Sequence, residues 1–222
     1  MDGTIVDSEP YWMRAETELV ESFGGVWTHD DGMLMVGAGL WGSARVLQGR
    51  GVDLDADAIV QALTGRVQEL LQEFGAPWRP GALEMLTALK SAGIPMALVT
   101  SSVERMALQV ADLVGFPAFD TIVAGDMVEH NKPHPEAYLS AAGRLGVDSI
   151  RCLAVEDSVP GLAAAVASGA VVLGVPHMVV LPESAHYDLW PTLSGRSLDG
   201  FTDLFGARRG SAALPLTSTD SE

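Results

Sequence analysis

Two acids stand side by side at Glu156-Asp157, directly after the apolar run Cys152–Val155. Burying adjacent carboxylates is costly unless a cation neutralises them. Hard oxygen donors of this kind suit Mg²⁺, which takes one or two carboxylates and fills its shell with water and substrate phosphate. Three other segments carry chemistry that would serve such a site. Ala97-Leu98-Val99 runs into Thr100-Ser101-Ser102, and hydroxyls with free amides at a helix start hold phosphate oxygens well. Ser and Thr are equally the residues that cap a helix, so this segment alone does not decide. In Asn131-Lys132-Pro133-His134-Pro135 two prolines stiffen the chain around a lysine, which could clamp phosphate charge; an exposed lysine in a Pro-rich loop is the alternative, and the rigidity on both sides counts against it. Asp2-Gly3-Thr4 reads as a tight turn presenting an acid, although Asp-Gly turns are common. His29, His130, His134, His177 and His186 show no spacing typical of a zinc site.

These segments need elements to position them. Ile94–Val99, Cys152–Val155 and Ala170–Val175, with a weaker run at Thr121–Ala124, are short and apolar throughout, as buried parallel strands are. Helical stripes lie between them: Met106, Val110, Leu113 and Val114; Ala137, Tyr138, Ala141, Ala142 and Leu145; and the small-residue run 162–167. Strand and helix alternate from Pro80 onward, which predicts an α/β fold with a doubly wound, Rossmann-like parallel sheet. Open parallel sheets bind ligands at the carboxyl ends of their strands, where the four segments fall. Before Pro80 the pattern changes. Trp12, Ala15, Leu19, Val20 and Phe23 recur at helical spacing, and so do Ile59, Val60, Leu63, Val67, Leu70, Leu71 and Phe74. The expected organisation is therefore an α/β core from residues 1–9 and 80–206, a small all-helical cap from residues 10–79, and a disordered Ser/Thr/Gly/Pro-rich tail from 207–222.

The chain has 222 residues, 48% of them hydrophobic, so a sizeable core is within reach. Its 13 Lys and Arg against 29 Asp and Glu give a net charge of −16. Such a surface repels nucleic acid and anionic membranes, and an anionic ligand must be held by local devices. The single Cys152 fits a reducing compartment. No apolar run is long enough to span a bilayer, and the start lacks a basic segment followed by an apolar one, so a cytoplasmic protein is expected.

Taken in order, the four segments resemble the sequence motifs of the haloacid dehalogenase superfamily. The helical insert after the first is similar to the cap of the subgroup that holds β-phosphoglucomutase and small sugar-phosphate phosphatases. Asp2-Gly3-Thr4-Ile5-Val6-Asp7-Ser8-Glu9-Pro10 and Lys132-Pro133-His134-Pro135-Glu136-Ala137-Tyr138 are the most specific matches. The resemblance implies a phosphoric monoester hydrolase that uses Mg²⁺ and an aspartyl-phosphate intermediate. Asp2 matches the general acid/base, whose backbone carbonyl also ligates the metal. Thr100, with Ser101, matches the hydroxyls that bind the transferring phosphoryl group, and Lys132 the lysine that offsets its charge. Asp157 matches the metal ligand, with Glu156 supporting the metal directly or through water.

The family pattern Asp-x-Asp-Gly-Thr puts the nucleophile immediately before Met1. The expectation is a natural protein that extends upstream and supplies it; a phospho-ligand-binding homologue without turnover is the alternative. Trp12 and Leu40 stand where the mutase branch commonly carries His and Arg, which favours monophosphate hydrolysis over phosphomutase chemistry. Asp7-Ser8-Glu9-Pro10 with Trp12 resembles bacterial phosphatases acting on hexose or hexitol phosphates. Trp12, Met33, Met35, Leu40 and Trp41 are expected to line the substrate pocket. The implied partner is a small phosphorylated metabolite, and the protein is expected to act as a monomer.

Overall fold

The computed structural model describes residues 1–36 and 39–210. Pro10 in the first turn and an amphipathic stripe set the first helix, α1 (Glu9–Ser22). Thr28 and Asp31 form a reciprocal capping box that starts α2 (His29–Met33). Then come α3 (Leu40–Gly49) and the long α4 (Ala56–Phe74), whose first turn is closed by Asp55 accepting from the Ala58 amide at 2.7 Å. The chain enters these helices through Val6 and leaves through Trp78, and the two residues face each other in one antiparallel bridge. The Asp7 amide donates to the Pro77 carbonyl and the Arg79 amide to Ile5, so outgoing and returning segments run side by side.

From there α5 (Ala82–Ser91) leads to β1 (Ala97–Val99), α6 (Glu104–Leu113), β2 (Thr121–Val123), α7 (Glu136–Arg144), β3 (Leu153–Glu156), α8 (Val159–Ala167), β4 (Val171–Gly174), β5 (Asp188–Leu189) and α9 (Leu198–Arg209). All strand pairs are parallel, as continuous apolar runs with helical crossovers require. β1, β2 and β4 are shorter than their apolar runs, and β3 is shifted one residue along its own. Ile94–Met96, for example, precede β1, with the Met96 amide donating to the Asp120 side chain.

The sheet comes in two parts, β1-β2 and β3-β4-β5. No ladder joins β1 to β3 among the described residues. Side chains connect them instead: Lys132 donates to the Val99 carbonyl at the end of β1 and pairs with Glu156 at the end of β3. One apolar cluster runs from Val20, Leu47 and Leu63 in α1, α3 and α4 through Met1 and Val6 to Leu98 and Met106. Arg105 of α6 adds a polar seam, donating to the Gln68 side chain and the Gln61 carbonyl of α4.

The tail assignment needs correction. Structure does not stop at Ala207: α9 continues to Arg209, because Phe201, Leu204 and Phe205 bury its inner face and Arg208 pairs with Asp188 at 2.6 Å. Residues 211–222 lie outside the described residues.

Candidate active site

The four chemistry-bearing segments meet in one cleft. Asp2, Thr100, Ser101, Ser102, Lys132, Glu156, Asp157 and Ser158 line it from the strand ends. Asp2 is held by hydroxyls. Its Oδ2 accepts from Ser102 Oγ at 2.7 Å and lies 3.5 Å from Thr100 Oγ1, while Oδ1 accepts from Ser8 Oγ at 2.5 Å and from Trp12 Nε1 at 3.4 Å. Gly3 has φ +69°, and a Cβ there would overlap the Asp157 carboxylate. Only glycine lets the first turn lie against that acid. Thr4 Oγ1 donates to Asp157 Oδ1 at 2.8 Å.

Lys132 and Glu156 form the charged centre of the site. Lys132 Nζ stands 2.5 Å from Glu156 Oε1, and the two side chains are only 9% and 5% exposed. Tyr138 donates its hydroxyl to the same oxygen, and Ser158 Oγ approaches Oε2 at 3.4 Å. Gly161 makes room: a Cβ there would overlap the Glu156 carboxylate. Burial pushes Glu156 up most strongly, but the Lys132 and Met1 ammonium groups and the Tyr138 hydroxyl together hold the carboxyl below its ordinary value. Tyr138 is driven well up by burial and by Glu156.

Asp157 differs from its neighbour. Burial, and then the charge of Glu156, push it up to about 6. No Lys, Arg or His side chain pairs with it among the described residues. A half-buried carboxylate with a single hydroxyl donor is a fitting ligand for a hard divalent cation, which would restore its ionised form.

The three expected metal residues, Asp2, Glu156 and Asp157, all border this one cleft. Glu156 is the last residue of β3, whose buried positions alternate, so Glu156 shares a side with Ala154 and is taken up by Lys132 and Tyr138. Asp157 lies one residue beyond. The one group of three metal-type side chains with ligand atoms within 4.8 Å, among the described residues, is His130, His134 and Glu136 on the surface. There the Glu136 carboxylate already accepts from the Glu129 and His130 amides.

On the opposite side of the cleft stand Glu9, Trp12, Glu16, Met35, Leu40, Ser43 and Leu63. Trp12, Met35 and Leu40 are where the sequence placed them; Met33 and Trp41 are not among the lining residues. Trp41 instead donates its Nε1 to Asp57 at 2.7 Å. Neighbours on a helix are about 100° apart, so when Leu40 faces the cleft Trp41 cannot. Sequence reasoning gave no role to Ser8, Tyr138 and Glu16. The first two lie within the motifs it quoted. Glu16 had a fainter signal, an acid one turn after Trp12 within an otherwise apolar stripe.

Comparison with known proteins agrees with this geometry. The chain is 30% identical over 176 residues to hexitol phosphatase B of Escherichia coli, covering 76% of this chain and 77% of that protein. It is 32% identical over 173 residues to the E. coli fructose-1-phosphate phosphatase YqaB, covering 76% and 89%. The structure superposes with a TM-score of 0.81, at 29% identity and 90% and 95% coverage, on a mutant CbbY from Rhodobacter sphaeroides in complex with xylulose-(1,5)bisphosphate. A family model described as haloacid dehalogenase-like hydrolase matches residues 1–169. With the motifs in order, at one rim of a parallel sheet, and a match over that span, the chain belongs to the haloacid dehalogenase-like hydrolases.

Proposed function

We propose that this protein is a Mg²⁺-dependent phosphatase of a small sugar or polyol monophosphate, working through an aspartyl-phosphate intermediate. The observation that carries the reading is the meeting of Asp2, Thr100, Lys132 and Asp157 around one cleft, with Lys132 fixed between the ends of β1 and β3. Thr100 and Ser101 receive the phosphoryl oxygens, and Lys132 offsets their charge. Asp2, oriented by Ser8, Ser102 and Trp12, gives a proton to the leaving oxygen and later takes one from water. Asp157 and the Asp2 backbone carbonyl would hold Mg²⁺, which supplies neutralisation of the phosphoryl charge when bound. Glu156 fixes Lys132 in place and is not a direct ligand.

In the family pattern the attacking carboxylate occupies the position immediately before Met1, and this reading assigns the nucleophile there. Residues 10–79 form a cap over the cleft, and its exit and return beside Val6 and Trp78 support that division. The cap's lining residues include no Arg or Lys among the described residues, which favours hydrolysis of a monophosphate over phosphomutase chemistry. The protein acts in the cytoplasm as a monomer, in keeping with its single free Cys152.

The test is phosphate release from hexitol and hexose monophosphates by a chain carrying Asp before Met1, in Mg²⁺ and in EDTA. Release is expected only with Mg²⁺, and Asp2→Asn should abolish it. Turnover that persists in Asp2→Asn would refute the acid/base role. Tight binding of sugar phosphates without release would identify a ligand-binding homologue instead.

A further inference from the structure

The two sides of the cleft differ in their cations. Its sheet side carries Lys132 and the hydroxyls of residues 100–102 beside the acids Asp2, Glu156 and Asp157. Its cap side presents two carboxylates, Glu9 and Glu16, and no Arg or Lys among the described residues. Glu9, Trp12 and Glu16 are spaced three and four apart on α1 and share one face of the helix. Trp12 reaches Asp2 through Nε1, so the stripe extends from the reacting end of the cleft towards the cap interior. Glu16 is only 4% exposed and has no basic partner among the described residues. Its one described hydrogen bond comes from Trp27 Nε1 to Oε2 at 3.2 Å. A carboxylate offers about four lone-pair sites, so most of its accepting capacity is left for a ligand.

We propose that Glu16 is the specificity-determining residue of the leaving-group side, accepting hydrogen bonds from hydroxyls of an uncharged polyol and turning away a second phosphate. The inference rests on the phosphatase reading above and deepens it. Ionised, Glu16 accepts from hydroxyl donors; protonated, it still accepts and also offers one O–H, so both forms match hydroxyls. Ser43, also buried, adds a hydroxyl to the lining of the same cleft, and Trp12, Leu40 and Leu63 supply apolar faces for the carbon chain. Burial pushes Glu16 up to about 7, so near neutral pH a donor from the ligand restores what desolvation removed. A phosphate at the same place would meet no Arg or Lys from the cap side among the described residues.

Binding by the 222-residue chain in Mg²⁺, followed by calorimetry, tests this without requiring turnover. The probes are inorganic phosphate, sorbitol 6-phosphate, glucosamine 6-phosphate and fructose 1,6-bisphosphate. Wild type should bind the hexitol phosphate about 10-fold or more tighter than phosphate, the worth of one or two hydrogen bonds to a charged acceptor. Glu16→Leu should erase that difference while phosphate affinity stays within about two-fold. The bisphosphate should bind wild type no tighter than phosphate and should gain affinity in Glu16→Gln. Melting temperature of both variants checks that they fold, and Glu16→Gln keeps the shape if Glu16→Leu does not. An unchanged hexitol-to-phosphate ratio in both variants would overturn the proposal. So would a marked wild-type preference for the hexosamine phosphate, which would make Glu16 an ammonium site. Failure of phosphate itself to bind wild type would defeat the phosphatase reading, and this inference with it.

Discussion

Replacing Lys132 by Met tests the charged centre of the site by stability alone. In the folded protein its ammonium lies 2.5 Å from Glu156 Oε1, with both side chains under 10% exposed. Met preserves much of the stem volume and removes the charge. Glu156 then keeps only hydroxyl donors, Tyr138 and Ser158, for a buried carboxylate. Breaking a buried pair from one side costs about 3–5 kcal/mol, since the other charge is stranded. At about 2–4 °C per kcal/mol for a chain of this size, the melting temperature should fall by about 6–20 °C. The assay is urea unfolding at pH 7 in metal-free buffer, on wild type, Lys132→Met, Glu156→Gln and the double variant. The double variant should recover most of the loss, because a neutral amide can accept from Tyr138 without a counter-ion. A single-variant loss below about 1 kcal/mol, or a double variant as unstable as the sum of the singles, would refute the view that this pair holds the two sheet parts together.

Four other outcomes follow from the same geometry. Gly3→Ala should destabilise by more than about 2 kcal/mol and blunt any stabilisation by Mg²⁺, because the new methyl takes the place of the Asp157 carboxylate. Gly24→Ala has a similar positive φ but open space, so a cost near about 1 kcal/mol is expected from calorimetric melting. Saturating Mg²⁺ at 100-fold over its Kd should add about 2.7 kcal/mol of stability, an effect that Asp157→Asn should remove; an equal shift in that variant would place the metal elsewhere. Glu16 gives a pH dependence. Its folded value, raised to about 7 from 4.5, means the folded state holds the proton more tightly, so this contribution is full below about pH 4.5 and lost as pH rises through 7. Glu16→Gln should gain on wild type by up to about 3 kcal/mol between pH 4.5 and 8, read from urea midpoints, and a constant difference across that range would contradict it.

The parallel strands were legible because their runs are apolar throughout, and in β4 Val171–Leu173 are buried along the whole length. Two of the four site segments, at 100–102 and 156–158, were legible for a related reason: they sit at the ends of β1 and β3. Which side chain faces which way was harder to read. Glu156 and Asp157 look equivalent as neighbours, yet the two-residue repeat of β3 sends one to Lys132 and leaves the other at the strand's open end. Leu40 and Trp41 pose the same problem on a helix, where adjacency separates side chains. Glu16 was hidden because a charge in an apolar stripe reads as an interruption, whereas here it marks the wall of a cleft. The continuation of α9 past Ala207 depends on Asp188, a partner distant in sequence that composition cannot show.

The single bridge between Val6 and Trp78 has an evolutionary consequence. The long helical excursion leaves and re-enters the core at practically one point, so closing that gap requires no more than a short turn. The excursion can be lengthened, shortened or exchanged for another while the loops that handle phosphate stay where they are. The wall that α1 and α3 give the cleft can thus change without disturbing the side chains at the ends of β1 and β3.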